Sequence, residues 1–194
     1  MSKSDPASKN DRIKSVKWVI TIFIVTIVVS GLISFISDEV MSESGMAVAF
    51  VILFIIVLIG ILFDVIGVAV TSADESPFHS MAARKVPGAQ EAIRLLRKAE
   101  RVSSICNDVI GDICGVVSGS AAATITSQLI RNFDFTWPTI VSLIMSALVA
   151  GFTVGGKAIG KGFAVNSSTK IVFFVGKIIF SIRKIPFFLK KRDR

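Results

Sequence analysis

The sequence predicts an all-α integral membrane protein with about four transmembrane helices, and three observations carry that prediction. Of its 194 residues 52% are hydrophobic and the mean hydropathy is +0.72, more apolar side chain than one water-soluble core of this size hides. Four segments each supply the roughly 20 apolar residues that, at about 1.5 Å per residue, cross a hydrocarbon layer about 30 Å thick. Lys and Arg gather on alternate sides of those segments, as the positive-inside rule requires of a chain that weaves through a bilayer.

The first segment, residues 18–37, is uncharged between Lys17 and Asp38, and the second, 45–72, is interrupted only by Asp64. The third, 102–130, carries Asp108 and Asp112; the fourth, 138–158, is uncharged until Lys157. The polar tail 1–17 holds Lys3, Lys9, Arg12, Lys14 and Lys17, whereas the loop from Asp38 to Met46 has Asp38, Glu39, Glu43 and no basic residue. The connection 73–101 carries Arg84, Lys85, Arg94, Arg97, Lys98 and Arg101, and the last loop has Arg131 against Asp134. Both termini are therefore expected in the cytoplasm of a multi-pass cell-membrane protein. No small-residue cleavage site follows the first apolar segment, which is read as a retained helix. The net charge of +8 is then topological and lipid-facing, and with no interleaved aromatic and basic surface, nucleic acid is not an expected partner.

Two cytoplasmic elements accompany the spans. In the insert 77–101, Pro77 marks a break and Pro87-Gly88 a turn, which predicts a helical hairpin. Its second arm, Gln90 to Arg101, sets Ile93, Leu96 and Ala99 opposite Arg94, Arg97, Lys98 and Arg101. Residues 163–194 read as a basic amphipathic juxtamembrane helix and tail. Asn166-Ser167-Ser168 offers caps, and Lys170, Lys177, Lys184 and Lys191 recur every seven residues among Ile, Val and Phe. A helix lying in the headgroup plane buries Phe173, Phe174, Ile178, Ile179 and Phe180 while its lysines meet anionic lipid headgroups, and a fifth crossing, made costly by those lysines, is the alternative. Pro186 is expected to bend it, and Lys190 to Arg194 adds a second lipid-facing charge cluster.

The functional signal lies in ionisable groups inside the membrane, because a charge there costs several kcal/mol unless it is paired, hydrated or bound to an ion. Counting about 1.5 Å per residue, Asp64 lies roughly 12 Å from the cytoplasmic end of its helix and Asp112 roughly 14 Å from that of the third. Asp108 stands one turn from Asp112, with Asn107 beside it. Asp64, Asn107, Asp108 and Asp112 are thus candidate ligands of a hard divalent cation such as Mg²⁺. With Lys157 as a counter-ion the set keeps two negative charges, which one Mg²⁺ balances. The competing reading is a structural network in which Asp108 and Asp112 pair with Lys157 or with hydroxyls such as Ser103, Ser104, Ser118 and Thr71.

The remaining motifs favour packing. Cys106 and Cys114, eight apart on one helix, cannot form a disulfide and lack a histidine partner, so they read as packing thiols. His79, in a Pro-Phe-His turn, reads as an interfacial side chain. Gly111, Gly115, Gly119 and Ala123 form a small-residue ridge for close helix approach. Gly151, Gly155, Gly156, Gly160 and Gly162 are dense enough to loosen or break the fourth helix near Lys157. No nucleophile stands with a base and no phosphate-binding glycine loop occurs, so no enzyme is expected.

The stretches Phe63-Asp64-Val65-Ile66-Gly67-Val68-Ala69, Ile105-Cys106-Asn107-Asp108-Val109-Ile110 and Gly156-Lys157-Ala158-Ile159-Gly160-Lys161 stand in an order that resembles the transmembrane domain of the cyclin-M and CorB/CorC magnesium and cobalt transporters. The resemblance covers about residues 63–182, without the cytoplasmic regulatory domains many members carry, and the first helix is an addition. It implies a homodimer that moves divalent cations. The family's first-motif acid falls at Gly67 and its last-motif glutamate at Lys157, so Asp64, Asp108 and Asp112 stand as replacement carboxylates, or Lys157 stands in the cation's place as a tethered ammonium. The alternative is a non-transporting membrane protein that binds a partner or anionic lipid through the hairpin and basic tail.

Overall fold

The computed structural model of the chain describes residues 6–133 and 135–192, with side chains for 16–41, 44–133 and 135–183. Asp134, Glu43, the tail cations Lys3, Lys9, Arg12 and Lys14, and the expected features at Lys184, Pro186 and 190–194 lie outside the described side chains. Every described element is helical: α1 Pro6–Glu43, α2 Met46–Ser72, α3 Ser76–Ala83, α4 Ala89–Leu96, α5 Ala99–Ser104, a π-helix Ile105–Gly111 (π1), α6 Asp112–Asn132, α7 Pro138–Asn166 and α8 Ser168–Arg192. Four stretches, Val16–Met41, Met46–Ser72, Ala99–Asn132 and Pro138–Asn166, are long and apolar enough to cross a membrane.

The ends of these helices depart from expectation for identifiable reasons. Rather than stopping at Ser37, α1 continues to Glu43, so the expected acidic loop is mostly helix and the turn falls at Ser44 and Gly45. Asp38 is held there by α6: Ser120 Oγ donates to one carboxylate oxygen at 2.9 Å and Thr124 Oγ1 to the other at 3.1 Å. One turn further on, Gln128 Nε2 donates to the Met41 carbonyl at 2.7 Å. The fourth span is not broken near Lys157; α7 runs unbroken to Asn166. Two of its glycines serve contact instead, since a Cβ at Gly156 would strike Ile61 and one at Gly160 would lie 2.7 Å from Val65 Cγ2. The second arm of the insert ends at Leu96, short of Arg101, because the chain turns at Arg97 and Lys98 before α5.

The hub is α2, which packs against α5, π1, α6, α7 and α8, while α1 packs mainly on α6. Helix contact in lipid expels no water, so closeness of approach and polar ties hold such a bundle. Two apolar clusters mark the ends of α2. One gathers Met41, Ala49, Leu53, Ala121 and Ile125; the other gathers Ala69, Val70, Phe78, Ala92, Ala164 and Val172. Asp64 falls between them in sequence.

The second cluster includes residues of α3, α4 and α8. Gly88 turns the chain into α4 at φ +90°, and its missing Cβ leaves room for the Lys177 backbone of α8. Gly176 returns the fit, since a Cβ there would lie 2.6 Å from the Gly88 carbonyl oxygen. Glu91 of α4 then accepts from Arg94 at 2.9 Å and from Arg183 of α8 at 2.8 Å. At the α2–α3 junction, Asp74 accepts from the backbone and side chain of Ser76 at 3.1 and 3.2 Å, and these bonds hold its carboxyl below the ordinary value.

Candidate functional site

Gly60, Asp64 and Gly67 follow one another at spacings of four and three, which sets them on one face of α2. That face meets π1 and α6. A Cβ at Gly60 would sit 2.9 Å from Cys114 Cβ, and one at Gly67 would overlap the amide oxygen of Asn107. The two glycines therefore let α2 lie directly on the third span, and Asp64, only 3% exposed, is enclosed between them.

Asn107 reaches Gly67 from π1. A π turn admits one extra residue into a helix and is frequent at functional sites. Asn107 Nδ2 donates to Ser103 Oγ at 3.3 Å, while Oδ1 is buried without a hydrogen-bond partner. Asp64 Oδ2 is likewise buried without one; its nearest cation is Lys161 Nζ of α7 at 3.9 Å, an ion pair beyond hydrogen-bond reach. An acceptor buried unsatisfied costs about 1–3 kcal/mol. Of the two here, one stands on α2 beside Lys161 of α7 and the other on π1 against Gly67 of α2, and a carboxylate and an amide oxygen are both ligand types for a hard cation or its water.

Lys157, one turn before Lys161, donates to the Gly111 carbonyl at 3.5 Å and forms no ion pair with Asp108 or Asp112. Those two carboxylates are exposed, on a different face of the third span from Asn107. The expected convergence of three carboxylates is thus not formed, and among the described residues no group of three or more His, Cys, Asp and Glu is gathered. The reason is angular. Once Asn107 faces Gly67, its neighbour Asp108 is turned away from α2, and Asp112 follows Asp108 one turn on. Sequence spacing placed Asp64, Asp108 and Asp112 at one depth but not on one side.

Cys106 is buried and Cys114 half-buried, both as free thiols. His79 lies 3.2 Å from Glu75, which also accepts from Arg97 at 3.1 Å. Gly115 and Gly119 of the small-residue ridge have nothing within 4 Å of an added Cβ, and they line a cleft shared with Ser146, Val149, Ala150 and Thr153 of α7. Sequence reasoning missed Lys161, which a fourth helix ending at 158 leaves outside the membrane; its spacing of four from Lys157 was the available signal. It also missed the π turn and the role of Asp38.

Among the described residues, fold and site define a class: an all-helical protein with four helices long and apolar enough to cross a membrane and two buried side-chain oxygens without hydrogen-bond partners, on Asp64 and on Asn107. Comparison of the chain with protein-family models, with curated proteins and with solved structures finds no significant match.

Proposed function

We propose that this chain is a multi-pass cell-membrane protein that binds and moves a divalent metal cation such as Mg²⁺, in the manner of the cyclin-M and CorB/CorC transporters its motifs resemble. The observation that carries the proposal is the pair of buried oxygens without hydrogen-bond partners, Asp64 Oδ2 and Asn107 Oδ1. Hard cations take carboxylate and amide oxygens together with retained waters, and a carboxylate kept this deep is functional by default. The π turn, which supplies Asn107, adds support.

The placement of Lys and Arg favours cytoplasmic termini, with α3 and α4 as a cytoplasmic hairpin and α8 along the headgroups. On α8, Lys170, Phe174, Lys177 and Ile178 are exposed together, a combination suited to an anionic lipid surface. Asp108, Asp112, Val116, Gly119 and Ala123 form an exposed stripe along the third span. Carboxylates facing lipid are costly, and an open small-residue stripe fits a second copy, so a homodimer meeting along this stripe is part of the proposal. Cross-linking of Val116→Cys, with Cys106 and Cys114 replaced by Ala, is expected to give covalent dimers in native membranes.

The test of function is Mg²⁺ flux into proteoliposomes carrying wild type, Asp64→Asn or Asn107→Ala, each of verified fold. Flux in wild type that both variants lose supports the transporter. Absence of flux from folded wild type favours the second reading, a non-transporting membrane protein bound to lipid or a partner, in which the Lys161–Asp64 pair at 3.9 Å is structural.

A further inference from the structure

We infer that Lys161 is a tethered competitor for the cation: its ammonium lies against Asp64 in the absence of ion and must leave before a cation is bound there. This rests on the cation site proposed above. The geometry is asymmetric in a way a structural ion pair does not require. Asp64 is 5% exposed at its side chain, Lys161 is 55% exposed, and the two approach only to 3.9 Å. A buried carboxylate therefore faces a cation on a long, half-exposed stem of α7.

Contact between α7 and α2 fixes the stem's base. Gly160 lies against Val65, the residue after Asp64, so Lys161 cannot be carried away by separation of the helices without losing that contact. Its four-carbon chain can swing, because a half-exposed lysine keeps most of its rotamers. Lys157 differs: it is half-buried and engaged with the Gly111 carbonyl, which lies on the far side of the π turn. Of the two ammoniums, Lys161 is the one free to yield. With one carboxylate and this one ammonium, the local charge is zero while the lysine is in place and −1 once it has moved, so arrival of a cation and departure of the lysine are coupled.

The experiment is Mg²⁺ binding to the purified full-length chain in detergent micelles, followed by calorimetry, for wild type, Lys161→Met, Lys161→Gln and Lys161→Arg. Neutral replacement is expected to tighten binding at least about fivefold, the equivalent of a single weak ion pair of about 1 kcal/mol, and Lys161→Arg to leave it at or below the wild-type level. Lys161→Gln, which keeps a polar stem, covers the case in which Lys161→Met fails to fold. Binding seen only in the neutral variants also supports the competitor role. Equal affinity in wild type and a folded neutral variant overturns the competition and leaves the cation site standing. Absence of binding from wild type and folded neutral variants alike overturns the cation site itself.

Discussion

Asp38 and Asp64 are both carboxylates within helices able to cross a membrane, and their surroundings differ in one decisive respect. Each oxygen of Asp38 accepts a hydroxyl, from Ser120 and from Thr124, so its charge is spread over two donors supplied by α6. Asp64 is more deeply buried and has an oxygen with no donor at all. The first arrangement is a tie: it pins the end of α1 to α6 and gives each oxygen a donor. In the second, the oxygen that lacks a donor has only the Lys161 ammonium near it among the described residues, at 3.9 Å. Burial alone does not distinguish the two carboxylates; the count of donors does.

The same substitution at both positions exposes the difference. Asp64→Asn is expected to weaken Mg²⁺ binding by more than the roughly 10- to 100-fold typical of changes one shell further out, read by calorimetry on folded protein. Gly67→Ala sharpens the point from the other side of the site. Its new methyl takes the place of the Asn107 amide oxygen, so affinity should fall about tenfold while stability to denaturant falls by about 1–3 kcal/mol, the ordinary cost of overpacking. Asp38→Asn should do the reverse, costing about 1 kcal/mol in unfolding from mixed micelles and leaving Mg²⁺ affinity where it was. Equal effects of the two Asp→Asn changes on affinity would erase the distinction drawn between them.

Smallest is the contribution of Asp74. Its carboxyl is held below its ordinary value of 3.8 by Ser76, so the folded chain binds fewer protons here than the unfolded one. That stabilisation is complete above the ordinary value and is lost as pH falls through the lowered one. Ser76→Ala, which removes the hydroxyl and keeps the backbone donor, should therefore lower thermal stability slightly at neutral pH, and the gap between variant and wild type should close as pH falls through the lowered value.

How much of this was legible in the sequence follows from what kind of quantity each feature is. The four spans are sums over twenty or more residues, and a misjudged end does not change the sum. Asp64 was legible because one charge interrupts an otherwise apolar run. Which way Asn107, Asp108 and Asp112 face is a matter of helix phase, and phase in the third span is set by one extra residue in the π turn at Ile105–Gly111, which leaves no trace in hydropathy. The glycines of α7 were visible as a cluster but not as contacts. Their partners Ile61 and Val65 are ordinary aliphatic residues nearly a hundred positions away, so of the two expected uses, a loosened helix or tight packing, the structure shows packing at Gly156 and Gly160. Lys161 was hidden because shortening α7 moved it out of the membrane.

The tie between α4 and α8 has a consequence for the timing of synthesis. Glu91 and Arg183 are 92 residues apart, and all of the third and fourth spans lie between them. At about 5–20 residues per second, α4 is complete for some 5–20 s before its partner has been made. During that interval the face carrying Ala89 and Ala92, covered in the finished molecule, has nothing of α8 against it. Completion of this α4–α8 contact therefore waits for emergence of α8 and not for insertion of any span.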